Sequence, residues 1–492
     1  MNINMIQIFR KIIPDINISY LFGFLILIYL IFRIIELPLS DDEYMTLHLH
    51  VSQNLWNIVT TGQPNTDWAP NNHVLNTLMM KFEIFLFGRK DWVMRIHIFL
   101  SFIVCFYYSY KLFSLFVPSE YRKLFYLIII FLNPYLLDFF GLARGYALSI
   151  TAFTGALYYL IVYLDQFSIK PLILTLFFMF LAIWSNFSAL YLFAGVICII
   201  LFENRKNFFS TDFKTQIVIL AVASCLIGIV IIFPLIKTLA SGETFGGKIG
   251  IFQDSVVQYI NQFIHHNPKI DRHQIYPSGW KLIEILGVIL FLLWTSLLAY
   301  SFTFDVDSRL KKIQNICLFL VLLVAVIAKV LFILKQTPFP SGRTQLLFGV
   351  PFYIGICIAI ERILIHQKRF YFIVILQISF LIWHFYHSFN LVNTIDWWQN
   401  GDAKKVVSFL KSEYRNENSG KIKHIGAENW QYHSLAFYIE EEFHHSLQIH
   451  WTDLSSNQVY DYLLVPKHRQ SEVWADYIPI REFDKTILFK LK

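Results

Sequence analysis

The chain has 492 residues, of which 56% are hydrophobic, 18% aromatic and only 15% charged. A soluble domain carries roughly 25% charge, so the composition excludes an ordinary soluble enzyme and points to a polytopic membrane protein. The net charge of +7 is no nucleic-acid signal, because most of it falls in short loops between apolar runs, where it sets topology.

Arg10 and Lys11 precede a first apolar run from about Ile18 to Leu39. At roughly 20 residues per crossing it is long enough to span, and it lacks a small-residue cleavage site, so it reads as an uncleaved helix. The apolar runs are 18–38, 95–117, 124–140, 145–164, 171–186, 188–203, 215–236, 281–303, 314–334, 345–362 and 370–390. Asn133-Pro134, Gly141 to Gly145 and Trp184-Ser185-Asn186 divide runs too long for one bilayer. With the N-terminus inside, the inner loops carry Arg122-Lys123, Lys170, Arg205-Lys206 with Lys214, Arg309 with Lys311-Lys312, and Arg362 with Lys368-Arg369. All are basic, as the positive-inside rule asks. The expectation is therefore about 11 spans in a catalytic region 1–390, with outer loops 39–94 and 237–280, and a segment 391–492 outside.

In the first outer loop, Glu43 to Val59 and Asn72 to Phe87 have helical periodicity. The second carries a broad apolar face through Val74, Leu78, Met79, Phe82, Phe85 and Leu86, suited to lying along the interface. Beyond 391, charge returns and the runs shorten. Asp402–Tyr414 and Trp430–Glu441 are expected as helices, and Lys421–Ala427, Leu447–Thr452, Asp461–Val465 and Thr486–Leu491 as strands of a small α/β domain. The five cysteines (Cys105, Cys198, Cys225, Cys317, Cys357) all sit in apolar runs and act as small hydrophobes.

The chemistry concentrates just past the first run, in Leu37-Pro38-Leu39-Ser40-Asp41-Asp42-Glu43-Tyr44. Ser40 and Glu43 match a capping box, and the acids suit a helix N-terminus. A carboxylate here also suits a general base taking a proton from an acceptor hydroxyl or amine. Consecutive helical positions point about 100° apart, so not all three acids can serve. Arg144, in Leu142-Ala143-Arg144-Gly145-Tyr146, lies at an outer helix end against the charge trend. It is either an interfacial anchor or a bidentate phosphate ligand. Asp138, one or two turns earlier, either pairs with Arg144 or faces the same site. Arg343, in Phe339-Pro340-Ser341-Gly342-Arg343-Thr344, with Lys335 upstream, is a second basic element outside. His73 enters the second loop helix as a polar loop residue or as a contact to phosphate or sugar. His265-His266, Asp271 and His273 match no standard zinc spacing, and His444-His445 carries still less of a signal.

The chain resembles the GT-C superfamily of membrane glycosyltransferases, in particular the branch with protein O-mannosyltransferases and the lipid A aminoarabinose transferase. The likeness rests on an Asp-Glu pair soon after the first span, matched here by Asp42-Glu43, with Asp41 as an extra acid. It also rests on an Ala-Arg-x-Tyr pattern at Ala143 to Tyr146. A basic residue before a late span is matched in part by Arg343, where Thr344 replaces a tyrosine. The resemblance implies a GT-C fold and transfer of a sugar from a polyprenyl-phosphate donor to a lipid, glycan or protein acceptor. It further implies Asp42 (or Asp41) as base, arginines on the lipid phosphate, no required cofactor with a divalent metal left open, and a bacterial inner-membrane setting. A ligase moving a whole glycan from polyprenyl diphosphate would use the same basic clamp. A transporter would instead need ionisable groups at span midpoints, and a scaffold would show no effect of changing Asp42.

Overall fold

The computed structural model describes residues 17–60, 72–205, 211–240, 246–260, 278–304, 308–417, 422–443, 446–454 and 458–492. The first helix, α1 (Ile18–Glu36), is capped by Asn17, whose side chain accepts from Ser19 N. The segment after α1 holds α2 (Asp41–Met45), a π-helical stretch over Thr46–Val51, α3 (Leu55–Thr60) and α4 (Val74–Phe87). The expected single helix from Glu43 to Val59 is thus broken. Thr46 Oγ1 bonds Asp42 O at 2.7 Å and Ser52 Oγ bonds His48 O at 2.6 Å, so hydroxyls take carbonyls from the helical ladder.

Then follow α5 (Ile96–Ser114), α6 (Glu120–Phe131), α7 (Pro134–Phe139), α8 (Gly145–Gln166), α9 (Ile169–Ser185), α10 (Ala189–Glu203), α11 (Thr211–Ala240), α12 (Ser278–Ser301), α13 (Ser308–Lys335), α14 (Leu346–His366) and α15 (Tyr371–Ser388). Among the described residues, seven helical segments are long and apolar enough to cross a membrane: 18–36, 93–114, 145–166, 213–233, 308–335, 342–366 and 368–388. Three shorter apolar helices accompany them: 169–185, 189–203 and 288–301. The 124–140 run divides at Asn133, which caps α7 ahead of Pro134, and Asn186 ends α9.

Burial ranks the helices. In α8 and the segment ending in α14, 78% of the most apolar window is buried, against 22% in α11 and α15. The first two form the core, and the others present their apolar faces outward. Helix α4 is inverted in the same sense. Asn76, Thr77 and Glu83 are buried, while Phe82, Phe85 and Leu86 are exposed. Its polar side meets α5 through Glu83 and His97 (2.8 Å) and through His97 and Asn76 (3.0 Å). Lipid facing the apolar side resolves that inversion.

The C-terminal elements are α16 (Ala403–Glu417), β1 (Lys423–Ala427), α17 (Asn429–Phe443), β2 (Leu447–Trp451), β3 (Tyr462–Pro466), β4 (Tyr477–Glu482) and β5 (Thr486–Leu491). The sheet order is β2-β1-β3-β5-β4. Strand β1 runs parallel to β2 and β3, and β5 is antiparallel to β3 and β4. Sequence patterning missed β4, because Pro479 and the bulge between Pro479 and Arg481 interrupt its alternation. A proline is tolerated there because β4 is an edge strand.

Candidate functional site

Ser40 starts α2 as a capping box. Its hydroxyl accepts from Glu43 N, and the Glu43 carboxylate accepts from Ser40 N at 2.8 Å. The box fixes the helix start, and helical geometry then sends the three acids to three different partners.

Glu43 points into the protein. Arg95 meets it with Nε at 2.8 Å and Nη2 at 2.7 Å, a bidentate pair with both side chains fully buried. Ala143 N donates to the same carboxylate at 2.7 Å. Arg95 also donates to the carbonyls of Ile34, Leu37 and Pro38. This strut ties the end of α1, the start of α2 and the 141–144 turn into one frame.

Asp42 points into a cluster of cations. Its Oδ2 lies 3.0 Å from Arg144 Nη2 and 3.1 Å from Arg343 Nη1. Arg144 is held further by Nη1 to Thr46 Oγ1 at 3.0 Å. Arg343 comes from the short 3₁₀ turn Gly342–Gln345, and its guanidinium sits 5.0 Å over the Trp397 ring. Burial pulls the Asp42 carboxyl upward, but the guanidiniums of Arg144 and Arg343 outweigh it and hold it below the usual carboxylate range. Asp42 side-chain exposure of 21% leaves it reachable, unlike Glu43 at 0%.

Asp41 faces away, toward α17, with Oδ1 3.8 Å from His433 Nδ1. Burial and the adjacent Asp42 charge raise its carboxyl well above the usual range.

His73 is buried with Nδ1 2.7 Å from Ser185 O. A carbonyl only accepts, so Nδ1 carries the proton, and Nε2 has no hydrogen-bond partner among the described residues. Burial, then the Arg144 charge, pushes the imidazole well below its usual range, so it is neutral. Gly145 makes room for it: a Cβ there would lie 2.0 Å from Ser185 O and 2.7 Å from His73 Nδ1. The Tyr146 ring bridges His73 at 4.9 Å and Phe139 at 5.0 Å, and Phe139 continues to Trp397 at 6.3 Å.

Asp138 does not pair with Arg144, as one sequence expectation had it. It pairs with the fully buried Arg33 and accepts from Ile395 N at 3.1 Å. Arg33 also donates to the carbonyl of Asn393 at 2.7 Å. Together they anchor the stretch that carries Asp396 and Trp397. Lys335 is exposed on the last turn of α13 and makes no ion pair with Asp42. Sequence reasoning overlooked Arg33, Arg95, Thr46, Asp396 and Trp397. A buried arginine near the end of an apolar run was the available signal for Arg33 and Arg95.

An apolar cavity of about 210 Å³ is lined by Tyr259, Phe291, Val324, Phe348 and Phe352, and by Pro340 and Gln345, which flank Arg343 in the chain. Among the described residues, no group of three or more His, Cys, Asp or Glu gathers. His265, His266, Asp271, His273, His444 and His445 lie outside the described residues.

No family model and no curated protein matches the chain. Among solved structures it is similar to ArnT from Cupriavidus metallidurans in the apo state, with a TM-score of 0.42 and 9% identity over 96% of this chain and 97% of that one. ArnT bound to undecaprenyl phosphate superposes with a TM-score of 0.41 and 9% identity, again over 96% and 97%. The archaeal oligosaccharyltransferase AglB from Archaeoglobus fulgidus, in complex with an inhibitory peptide and a dolichol-phosphate, gives 0.41 and 11% identity, over 87% of this chain and 63% of that one. These superpositions are loose.

Proposed function

We propose that the chain is an integral membrane glycosyltransferase of the GT-C type, moving a sugar from a polyprenyl-phosphate donor to an acceptor on the outer face. The supporting observation is one carboxylate oxygen, on Asp42, shared by Arg144 and Arg343, with an apolar cavity lined by Pro340 and Gln345 on either side of Arg343 in the chain. Two guanidiniums on one point anion form a ready phosphate seat. The apolar cavity suits the start of a prenyl tail, whose transfer from water contributes about 0.8 kcal/mol per buried methylene.

In this mechanism the donor phosphate takes Arg144 and Arg343. Asp42, relieved of its two cations, becomes more basic and accepts the proton of the acceptor O–H or N–H. The acceptor atom bonds to the anomeric carbon as the bond from that carbon to the phosphate oxygen breaks. The electron pair leaves with polyprenyl phosphate, and the two arginines stabilise the charge that grows there. Direct displacement inverts the anomeric centre. Glu43 acts by holding the frame, and Asp138 by anchoring the 390–397 stretch. Asp41 lies on the acceptor side. In this reading the N-terminus is cytoplasmic, and residues 391–492 form a periplasmic α/β domain of a bacterial inner-membrane protein.

The test is a transfer assay on purified protein with radiolabelled polyprenyl-phosphate sugars and a membrane extract as acceptor. Labelled product that is lost with Asp42→Asn and retained with Asp41→Asn is the expected result. Transfer unaffected by Asp42→Asn would overturn the proposal.

A further inference from the structure

Helix α17 lays one face on the segment that carries Asp42. His433, Ala436, Phe437 and Glu440 recur at three- and four-residue steps, so they share a side of the helix. Ala436 and Phe437 pack with Leu39 and Tyr44 in one buried cluster. The polar contacts of this interface fall on both sides of Asp42. Ahead of it, the Tyr438 hydroxyl accepts from Leu39 N at 2.9 Å, one residue before the Ser40 cap. Behind it, the Tyr44 hydroxyl donates to Glu440 Oε1 at 3.2 Å, and Arg89 holds the other oxygen at 2.8 Å. Asp41 faces His433 between them.

The Tyr438 hydroxyl is itself fixed. It donates to Asp91 Oδ2 at 2.7 Å. A carboxylate only accepts, so the phenol proton is committed to Asp91 and a lone pair is left for Leu39 N. Asp91 is held in turn by Lys404 Nζ at 2.6 Å and by Trp92 N on Oδ1 at 2.8 Å. Leu39 is fully buried, so its amide needs this partner. Burial, then the Asp91 charge, raises the phenol well above its usual range, which keeps the proton in place. We infer that Tyr438 is a positioning residue for Asp42, and that the C-terminal domain is thereby a working part of the transfer site. The inference rests on the transferase reading and adds a second region of the chain to that site. Tyr438 pins the entry to α2, Glu440 pins its exit, and the capping box carries the fixed geometry to the carboxylate between them. Arg144 and Arg343 come from the 141–144 and 342–345 turns, so loss of the pin displaces the base and leaves the phosphate seat standing.

The experiment is steady-state transfer by full-length protein in detergent, from polyprenyl-phosphate sugars to a membrane extract, beside direct binding of bare undecaprenyl phosphate. Tyr438→Phe keeps the ring and removes the hydroxyl. It should lower kcat about ten- to a hundredfold, the range that a misplaced group costs. The donor KM and the binding of bare undecaprenyl phosphate should stay within about twofold, because the loss falls on the transition state. Asp91→Asn still accepts from the phenol and should keep kcat within about threefold of wild type. Tyr44→Phe, which releases the second pin, should lower kcat several-fold with binding again unchanged. An unchanged kcat in folded Tyr438→Phe overturns the inference. So does a fall matched by an equal loss of undecaprenyl phosphate binding, which marks general loosening. If Tyr438→Phe does not fold, an unchanged kcat in Tyr44→Phe overturns it instead. No transfer by the wild type overturns the transferase reading first, and this inference with it.

Discussion

Asp42 and Glu43 are neighbours in sequence and opposites in use. Both are acids facing arginine. Glu43 is sealed from solvent, meets Arg95 through two nitrogens, and takes two further backbone donors. Asp42 is partly exposed and offers one oxygen to two arginines from distant parts of the chain. A saturated pair is a strut, because any change leaves a buried charge unmatched. A carboxylate outnumbered by cations at a reachable edge leaves positive charge to spare, which makes the seat fit for an anion. The difference lies in what surrounds each acid.

The largest effect should come from the catalytic side. Asp42→Asn should reduce transfer by about 10²- to 10⁴-fold, the usual worth of a positioned base, with gel filtration showing a folded protein. The same variant should bind bare polyprenyl phosphate at least as tightly as wild type, since it removes the anion that competes for Arg144 and Arg343. Weaker binding would break the contrast with Glu43.

On the structural side, Arg95→Met should cost about 3–5 kcal/mol, because it strands Glu43 in the interior. Thermal unfolding in detergent reads this, and the double variant Glu43→Gln/Arg95→Met should recover a large part of the loss. Next in size, Arg343→Met should weaken polyprenyl-phosphate binding by about tenfold or more, the worth of one charge-assisted hydrogen bond, with a shallower dependence on salt. Gly145→Ala should cost about 1–3 kcal/mol through overpacking against Ser185 and His73, and should impair transfer as well as stability.

The smallest effect concerns pH. Asp41 has a raised carboxyl, so its folded-state contribution is full below its unfolded value and is lost as pH rises. Asp41→Asn should therefore raise the melting temperature at pH 7 and leave it nearly unchanged at pH 4. Asp42 has the opposite sign. Its stabilising contribution is present at neutral pH and is lost only as pH falls through its depressed value. A wild-type melting profile that worsens from pH 7 toward pH 5 through Asp42 would contradict that sign.

Local patterning made much of this protein legible. The apolar runs, the break at Asn133-Pro134, the Ser40 cap, the return of charge after 391 and four of five strands follow from signals within a few residues, as do Asp42, Arg144 and Arg343 as residues of interest. Other features depend on contacts across long stretches of chain. The Arg33 pairing with Asp138 and its hold on the 390–397 stretch, the Glu43–Arg95 strut, and Trp397 over Arg343 join segments that no spacing rule connects. The sequence alone could not choose among three adjacent acids, because capping and catalysis ask for the same residue types at a helix start. Tertiary structure separates them physically: it gives Glu43 a sealed partner, turns Asp41 toward α17 of the C-terminal domain, and brings two guanidiniums from remote turns of the chain onto one oxygen of Asp42.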